Sequence, residues 1–162
     1  MTLDRLDSPV GELVLLECRR RLVALAFSHR WERVEKDLRR RRGSLDFQPG
    51  RSLYSRALAD YFNGNLSALD DIEWDVQGTA FQESVWQALS LIPAGATWSY
   101  AQLASQIGRA KAVRAVANAV GANPVSIVLP CHRVVGSNGQ LTGFGGGLER
   151  KSWLLRHEGV DV

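Results

Sequence analysis

"SYAQLASQIG", Ser99 to Gly108, is followed almost at once by "AKAVRAVANAVG", Ala110 to Gly121. Ser99 and Gln102 form a capping-box pair that opens a first helix, and Gly108 supplies its stop. The second segment sets Val113, Val116 and Val120 in one apolar stripe beside a polar stripe of Lys111, Arg114 and Asn118. Two short helices joined by a glycine-containing turn have the arrangement of a helix-turn-helix. Ala110, Ala112, Ala115, Ala117 and Ala119 leave the second helix nearly bare, so its axis can come close to a groove. The same alanines suit a helix that lies only on its own core, because alanine is the best helix former.

Upstream, Thr79 with Gln82 repeats the capping pattern ahead of Phe81, Val85, Trp86, Leu89 and Ile92, and "PAG", Pro93 to Gly95, ends that helix. Further toward the start, "GELVLLE" and "RLVALAF" are β-rich runs separated by "CRRR", which predicts a hairpin. The basic run "LRRRRG", Leu38 to Gly43, suits a nucleic-acid patch or, since it follows "WERVEKD", the solvated, charge-balanced end of a helix; "SLYSRALADYFNG" reads as a helix stopped by Gly64, and "DIEWDV" alternates like a strand. The expected fold class is α+β. A small amino-terminal α/β domain with an antiparallel sheet, residues 1–76, precedes a mainly helical, winged-helix-like domain, residues 77–162.

The chain has 162 residues and a net charge of +3, and no apolar run approaches a membrane span. Its first residues carry acids and a proline where a secretory signal needs a basic start and a long apolar centre. A cytoplasmic protein without membrane association is expected, with Cys18 and Cys131 as free thiols. Residues 1–77 hold 13 basic and 13 acidic side chains. From Ser84 to Leu148, by contrast, no Asp or Glu occurs in 65 residues, while Arg109, Lys111, Arg114 and Arg133 do. A polyanion meets no fixed negative charge along that stretch.

"VLPCHRVVG", Val128 to Gly136, places Cys131 between Pro130 and His132. Free cysteine is often simply buried. A nucleophilic one needs a base or cation, since a thiol of pKa about 8.5 is only a few per cent thiolate at neutral pH. His132 and Arg133 follow directly, although neighbours on an extended chain face opposite ways, so a turn after Pro130 is required to bring thiol and imidazole together. From these residues alone, a Cys/His hydrolase and a thiol that accepts a group from DNA both stay open.

"IVLPCHRVVGSNGQLTGFGGGLERKSWLLRHEG" resembles the active-site segment of the O6-alkylguanine-DNA alkyltransferases, and "FQESVWQAL", "IPAGATWSYAQLA", "VRAVANAVGANP" and "DSPVGELVL" resemble further segments of that family in family order. The resemblance implies a DNA repair protein that transfers the alkyl group of O6-alkylguanine irreversibly to Cys131, once per molecule. It further implies a thiol activated by His132 through a water, with Glu158 orienting the histidine and Tyr100 serving the leaving base at N3. Arg114 would fill the space of a flipped nucleotide. Lys111, Ala115 and Asn118 would share the minor-groove surface of double-stranded DNA, read largely without regard to sequence. Asn123, Pro130, Arg133, Val134, Phe144, Gly145 and Gly146 would form or support the substrate pocket. No cofactor is implied, and a monomer is expected.

Three features depart from the family pattern. Phe144 stands where relatives usually carry tyrosine, Gly145 to Gly147 make that loop unusually free, and Val23 occupies the position of a histidine that helps some relatives bind zinc beside the residue matching Cys18. No metal is therefore expected. A helix-turn-helix regulator with an incidental thiol and a non-repairing binder of alkylated DNA are the rival functions; relatives of the second kind lack the cysteine that is present here.

Overall fold

The computed structural model describes residues 1–162, which divide into two compact units: Met1–Gln77 with Pro124–Val128, and Gly78–Asn123 with Leu129–Val162. The first unit is built on a four-stranded sheet of order β3-β2-β1-β4, from Thr2–Leu6 (β1), Leu13–Cys18 (β2), Arg21–Phe27 (β3) and Gln48–Pro49 (β4). β1, β2 and β3 pair antiparallel, while the two-residue β4 lies parallel to β1. The expected hairpin is present, and its turn consists of Arg19 and Arg20, both with positive φ. The runs "LVLL" and "LVALAF" are buried throughout. Val14, Leu16, Val23 and Ala26 meet Trp31 and Leu38 of α1 (Trp31–Arg42) on one side of the sheet. α2 spans Ser55–Phe62.

One local expectation needs correction, and one strand was not expected. "DIEWDV" forms no strand; it contributes a single bridge, Leu22 to Trp74. Conversely, "TLDRL" forms β1, a strand that its charged residues hid.

The second unit opens with α3 (Ala80–Leu89), capped as expected by Thr79 and Gln82. Trp86 of α3 is fully buried, and its indole Nε1–H donates to the carbonyl of Ala119 at 2.8 Å. Gly78 is needed beside it, because a Cβ there would lie 2.6 Å from the Trp86 ring. After the Pro93–Gly95 turn, β5 (Trp98–Ser99) leads straight into α4 (Tyr100–Gln106), whose Ser99/Gln102 capping box is complete. α5 spans Val113–Gly121 and completes the helix-turn-helix. It begins later than the run from Ala110 suggests, so Lys111 lies in the turn before it. β6 (Val134–Val135) pairs parallel with β5, Trp98 against Val134 and Ser99 against Val135, and α6 (Leu148–His157) closes the unit. No helix is long and apolar enough to cross a membrane.

Candidate active site

The β5–β6 pairing anchors the two segments that carry the reactive groups. β5 ends one residue before Tyr100, and β6 begins one residue after Arg133. Between Leu129 and Arg133 the chain is not extended. Pro130, with φ −82 and ψ 66, centres an inverse γ-turn in which the Cys131 N–H donates to the Leu129 carbonyl at 2.8 Å. The proline ring favours that φ. Asn123 donates its side-chain amide to the same carbonyl at 2.8 Å, bracing the turn from the end of α5. A single 3-10 turn, Cys131–Arg133, follows, so the chain bends after Pro130 and does not run on extended.

Cys131 is 7% exposed, whereas His132 is completely enclosed. His132 Nε2 lies 2.9 Å from Glu158 Oε2. Arg133 grips the same carboxylate at two points, Nε to Oε1 and Nη2 to Oε2, both at 2.8 Å, and its Nη1 donates to the Ile92 carbonyl at 2.6 Å. Burial opposes ionisation of Glu158, but the hydrogen bonds and charges of Arg133 and His132 outweigh it and hold the carboxyl well below the usual carboxylate range. Burial pushes His132 the other way, below its ordinary value, against the pull of Glu158. The imidazole is therefore neutral at pH 7, and with an ionised acceptor at Nε2 the proton must sit on Nε2. The lone pair then resides on Nδ1, which is buried and has no hydrogen-bond partner in the protein. A buried basic atom with an open valence, one residue along the chain from a thiol but not hydrogen-bonded to it, is fit to receive that thiol's proton through an intervening water.

Tyr100, at the start of α4, is half-buried and hydrogen-bonded to the Thr142 side chain. Burial raises its pKa against the Thr142 bond, and Cys131, when ionised, raises it further, so the phenol remains a donor at neutral pH. Val134 is fully buried, Phe144 half-buried, Gly146 buried and Gly145 exposed. The loop carrying the last three is held by Arg150 Nη1 donating to the Gly146 carbonyl at 2.9 Å. Gly95 closes the far side of the array: with φ +88 and the Glu158 carbonyl 3.2 Å from where a Cβ would stand, only glycine fits without strain.

On α5 the side toward the core holds Val116, Ala119 and Val120, and Val113 is half-buried. Arg114, Ala115 and Asn118 are exposed on the other side, with Lys111 exposed ahead of them. The helix-turn-helix surface is thus bare, basic and without acids.

One residue of this region escaped the sequence reading. Lys151 is fully buried, and its Nζ donates to the carbonyls of Val134 at 2.6 Å and Thr142 at 2.8 Å. Its signal was the spacing Lys151, Leu154, Leu155, Glu158, which sets a lysine on the buried face of α6.

Fold and site define a two-unit α+β protein in which a helix-turn-helix shares one unit with a turn-borne thiol backed by imidazole, carboxylate and guanidinium. Residues 4–76 match the family model of the 6-O-methylguanine DNA methyltransferase ribonuclease-like domain, and residues 80–160 that of its DNA binding domain. The methylated-DNA–protein-cysteine methyltransferase of Haemophilus influenzae is 40% identical over 153 residues, 94% of this chain and 83% of that protein. That of Salmonella typhimurium is 61% identical over 105 residues, covering 65% of this chain but only 61% of its own length. Among solved structures, the Mycobacterium tuberculosis O6-methylguanine methyltransferase superposes with a TM-score of 0.80 at 38% identity, covering 97% of this chain and 92% of the other. Mycobacterium tuberculosis OGT in complex with DNA gives a TM-score of 0.79 at 36% identity, covering 98% and 92%. The chain belongs to the 6-O-methylguanine DNA methyltransferase family.

Proposed function

We propose that this protein repairs O6-alkylguanine in double-stranded DNA by moving the alkyl group onto Cys131, once per molecule. The alanine-rich face of α5 enters the minor groove, with Lys111, Ala115 and Asn118 at the surface, and Arg114 takes the space of the flipped nucleotide. Flipping costs a few kcal/mol, which the intercalated arginine and the pocket contacts offset. The thiol proton passes to His132 Nδ1 through a water, and Glu158 steadies the imidazolium that forms. The sulfur then attacks the saturated O6-alkyl carbon. A C–S bond forms, the C–O bond breaks, and its electron pair stays on the guanine. Tyr100 donates a hydrogen bond to N3 as that charge develops, and the proton taken from the thiol is the one the released guanine finally gains. The thioether is a poor leaving group, so the protein does not turn over.

Phe144, Gly145 and Gly146 form the wall of the pocket, while Asn123, Pro130, Arg133 and Val134 hold its floor. The protein acts as a monomer in the cytoplasm, needs no metal or cofactor, and divides its work between an amino-terminal domain of residues 1–76 and a reactive, DNA-binding domain of residues 77–162.

One observation carries this function: in a chain of this family, a slightly exposed Cys131 sits on a braced turn one residue before a buried imidazole that is hydrogen-bonded through Nε2 to a buried carboxylate and has no partner at Nδ1. The test is stoichiometric. With an O6-methylguanine duplex in excess, repaired lesions should plateau at one per protein, and at none for Cys131→Ser. Repair that continues past one equivalent, or binding of alkylated duplex with no repair, would contradict it.

A further inference from the structure

We propose that Lys151 is a positioning residue for alkyl transfer, clasping the Phe144 loop to β6, the strand just beyond Cys131, and setting there a buried positive charge that favours the Cys131 thiolate. The inference rests on the reading of Cys131 as the acceptor.

Its geometry is that of a clasp. Lys151 rises from the first turns of α6 and donates to Val134 in β6, three residues beyond Cys131, and to Thr142, two residues before Phe144. The same Nζ lies 6.0 Å from the centre of the Phe144 ring. Thr142 is also the residue whose side chain bonds Tyr100. One ammonium therefore joins the strand after the thiol, the pocket wall and, through Thr142, the phenol expected to face the leaving base.

The charge is costly where it stands. Burial brings the Lys151 pKa down to about 8, although interaction with Cys131, when ionised, pulls it back up. Below that pH the ammonium is charged in both folded and unfolded chains, and the fold bears the full cost of burying it. Between there and its unfolded value of about 10.4 only the unfolded chain is protonated, so stability rises with pH. At neutral pH the lysine thus weakens the fold that keeps it. The groups that feel its charge are Cys131, which it favours as thiolate, and His132, which it helps to hold neutral. Tyr100 feels the same sulfur from α4. Each effect suits attack by sulfur on an alkyl carbon.

Two measurements test this. Thiolate absorbance is followed against pH for the wild type and Lys151→Met, with the matching Cys131→Ser proteins subtracted to remove Cys18. Removing the ammonium should raise the Cys131 midpoint by about one pH unit, leaving roughly tenfold less thiolate at pH 7; an unchanged midpoint overturns the proposal. This readout needs no alkyl transfer, so it fails independently of the repair function. The second measurement uses the wild type alone, reacting with a free O6-alkylated guanine base. The rate should rise as thiolate forms and fall above about pH 8 as the clasp deprotonates. A rate that keeps rising through roughly pH 9.5, where lysine is normally still charged, overturns it. Lys151→Arg, which stays charged, should lose the falling limb; a limb retained there assigns the decline to another group and also overturns it.

Discussion

Replacing Glu158 by glutamine removes one charge and leaves the shape of the site nearly intact. In the protein the carboxylate receives three charge-directed bonds, two from Arg133 and one from His132, and its side chain is wholly buried. Glutamine offers one acceptor oxygen and turns an NH2 group toward donors. The Arg133 guanidinium, 10% exposed, is then left buried without a counter-ion. Breaking a buried pair by removing one partner costs about 3–5 kcal/mol. At roughly 2–4 °C per kcal/mol for a chain of this size, the midpoint of thermal unfolding should fall by about 6–20 °C. The loss should depend on acid. Glu158 is held below its unfolded pKa of about 4.3, so its contribution is present above that value and disappears as pH falls through the native one. The gap between wild type and Glu158→Gln should therefore be full at pH 7 and close steadily below about pH 5.

Transfer should suffer separately. Without an ionised acceptor the imidazole proton is no longer fixed on Nε2, and the lone pair at Nδ1 is lost for part of the time. Single-turnover transfer at a temperature where both proteins are folded should slow by about 10²–10⁴, the usual worth of a general base. A variant that unfolds within about 2 °C of wild type and transfers within about threefold of its rate would refute both the tautomer assignment and the electrostatic account of the array.

Two further outcomes follow from the same geometry. Arg114→Ala should slow repair of duplex DNA strongly while its reaction with a free O6-alkylguanine base stays near wild type, as single-turnover rates on the two substrates will show; equal losses on both would make Arg114 a structural residue. Asn123→Ala removes the second donor to the Leu129 carbonyl that shapes the Cys131 turn, and should cost about 0.5–1.5 kcal/mol in denaturant unfolding, with a slower transfer on duplex and free base alike.

Much of this was legible because the residues concerned act locally. Both capping boxes, Thr79/Gln82 and Ser99/Gln102, are short-range chemistry and formed as the sequence implies. The β2–β3 hairpin declared itself through two apolar runs that are buried on both faces. β1 did not, since "TLDRL" owes its extended form to pairing with β2 rather than to its own pattern. "DIEWDV" erred the other way: its alternation is real, but only Trp74 finds a partner in the sheet. In the site, Cys131 and His132 were visible as neighbours and Glu158 only through family resemblance. Their geometry depends on an inverse γ-turn at Pro130 and on Arg133 reaching Ile92, contacts 41 residues apart that no local pattern encodes. Lys151 was masked because a lysine within an amphipathic helix is ordinarily on its wet side.

Mass analysis of the intact protein, followed by peptide mapping after exposure to an O6-methylguanine duplex, bears on all of this at once. The expected result is a single added methyl group located on the peptide that contains Cys131, with none on the peptide that contains Cys18 and none in Cys131→Ser. An unmodified protein that nonetheless binds the lesion, or a methyl group found on Cys18, would contradict the assignment of Cys131 as the acceptor.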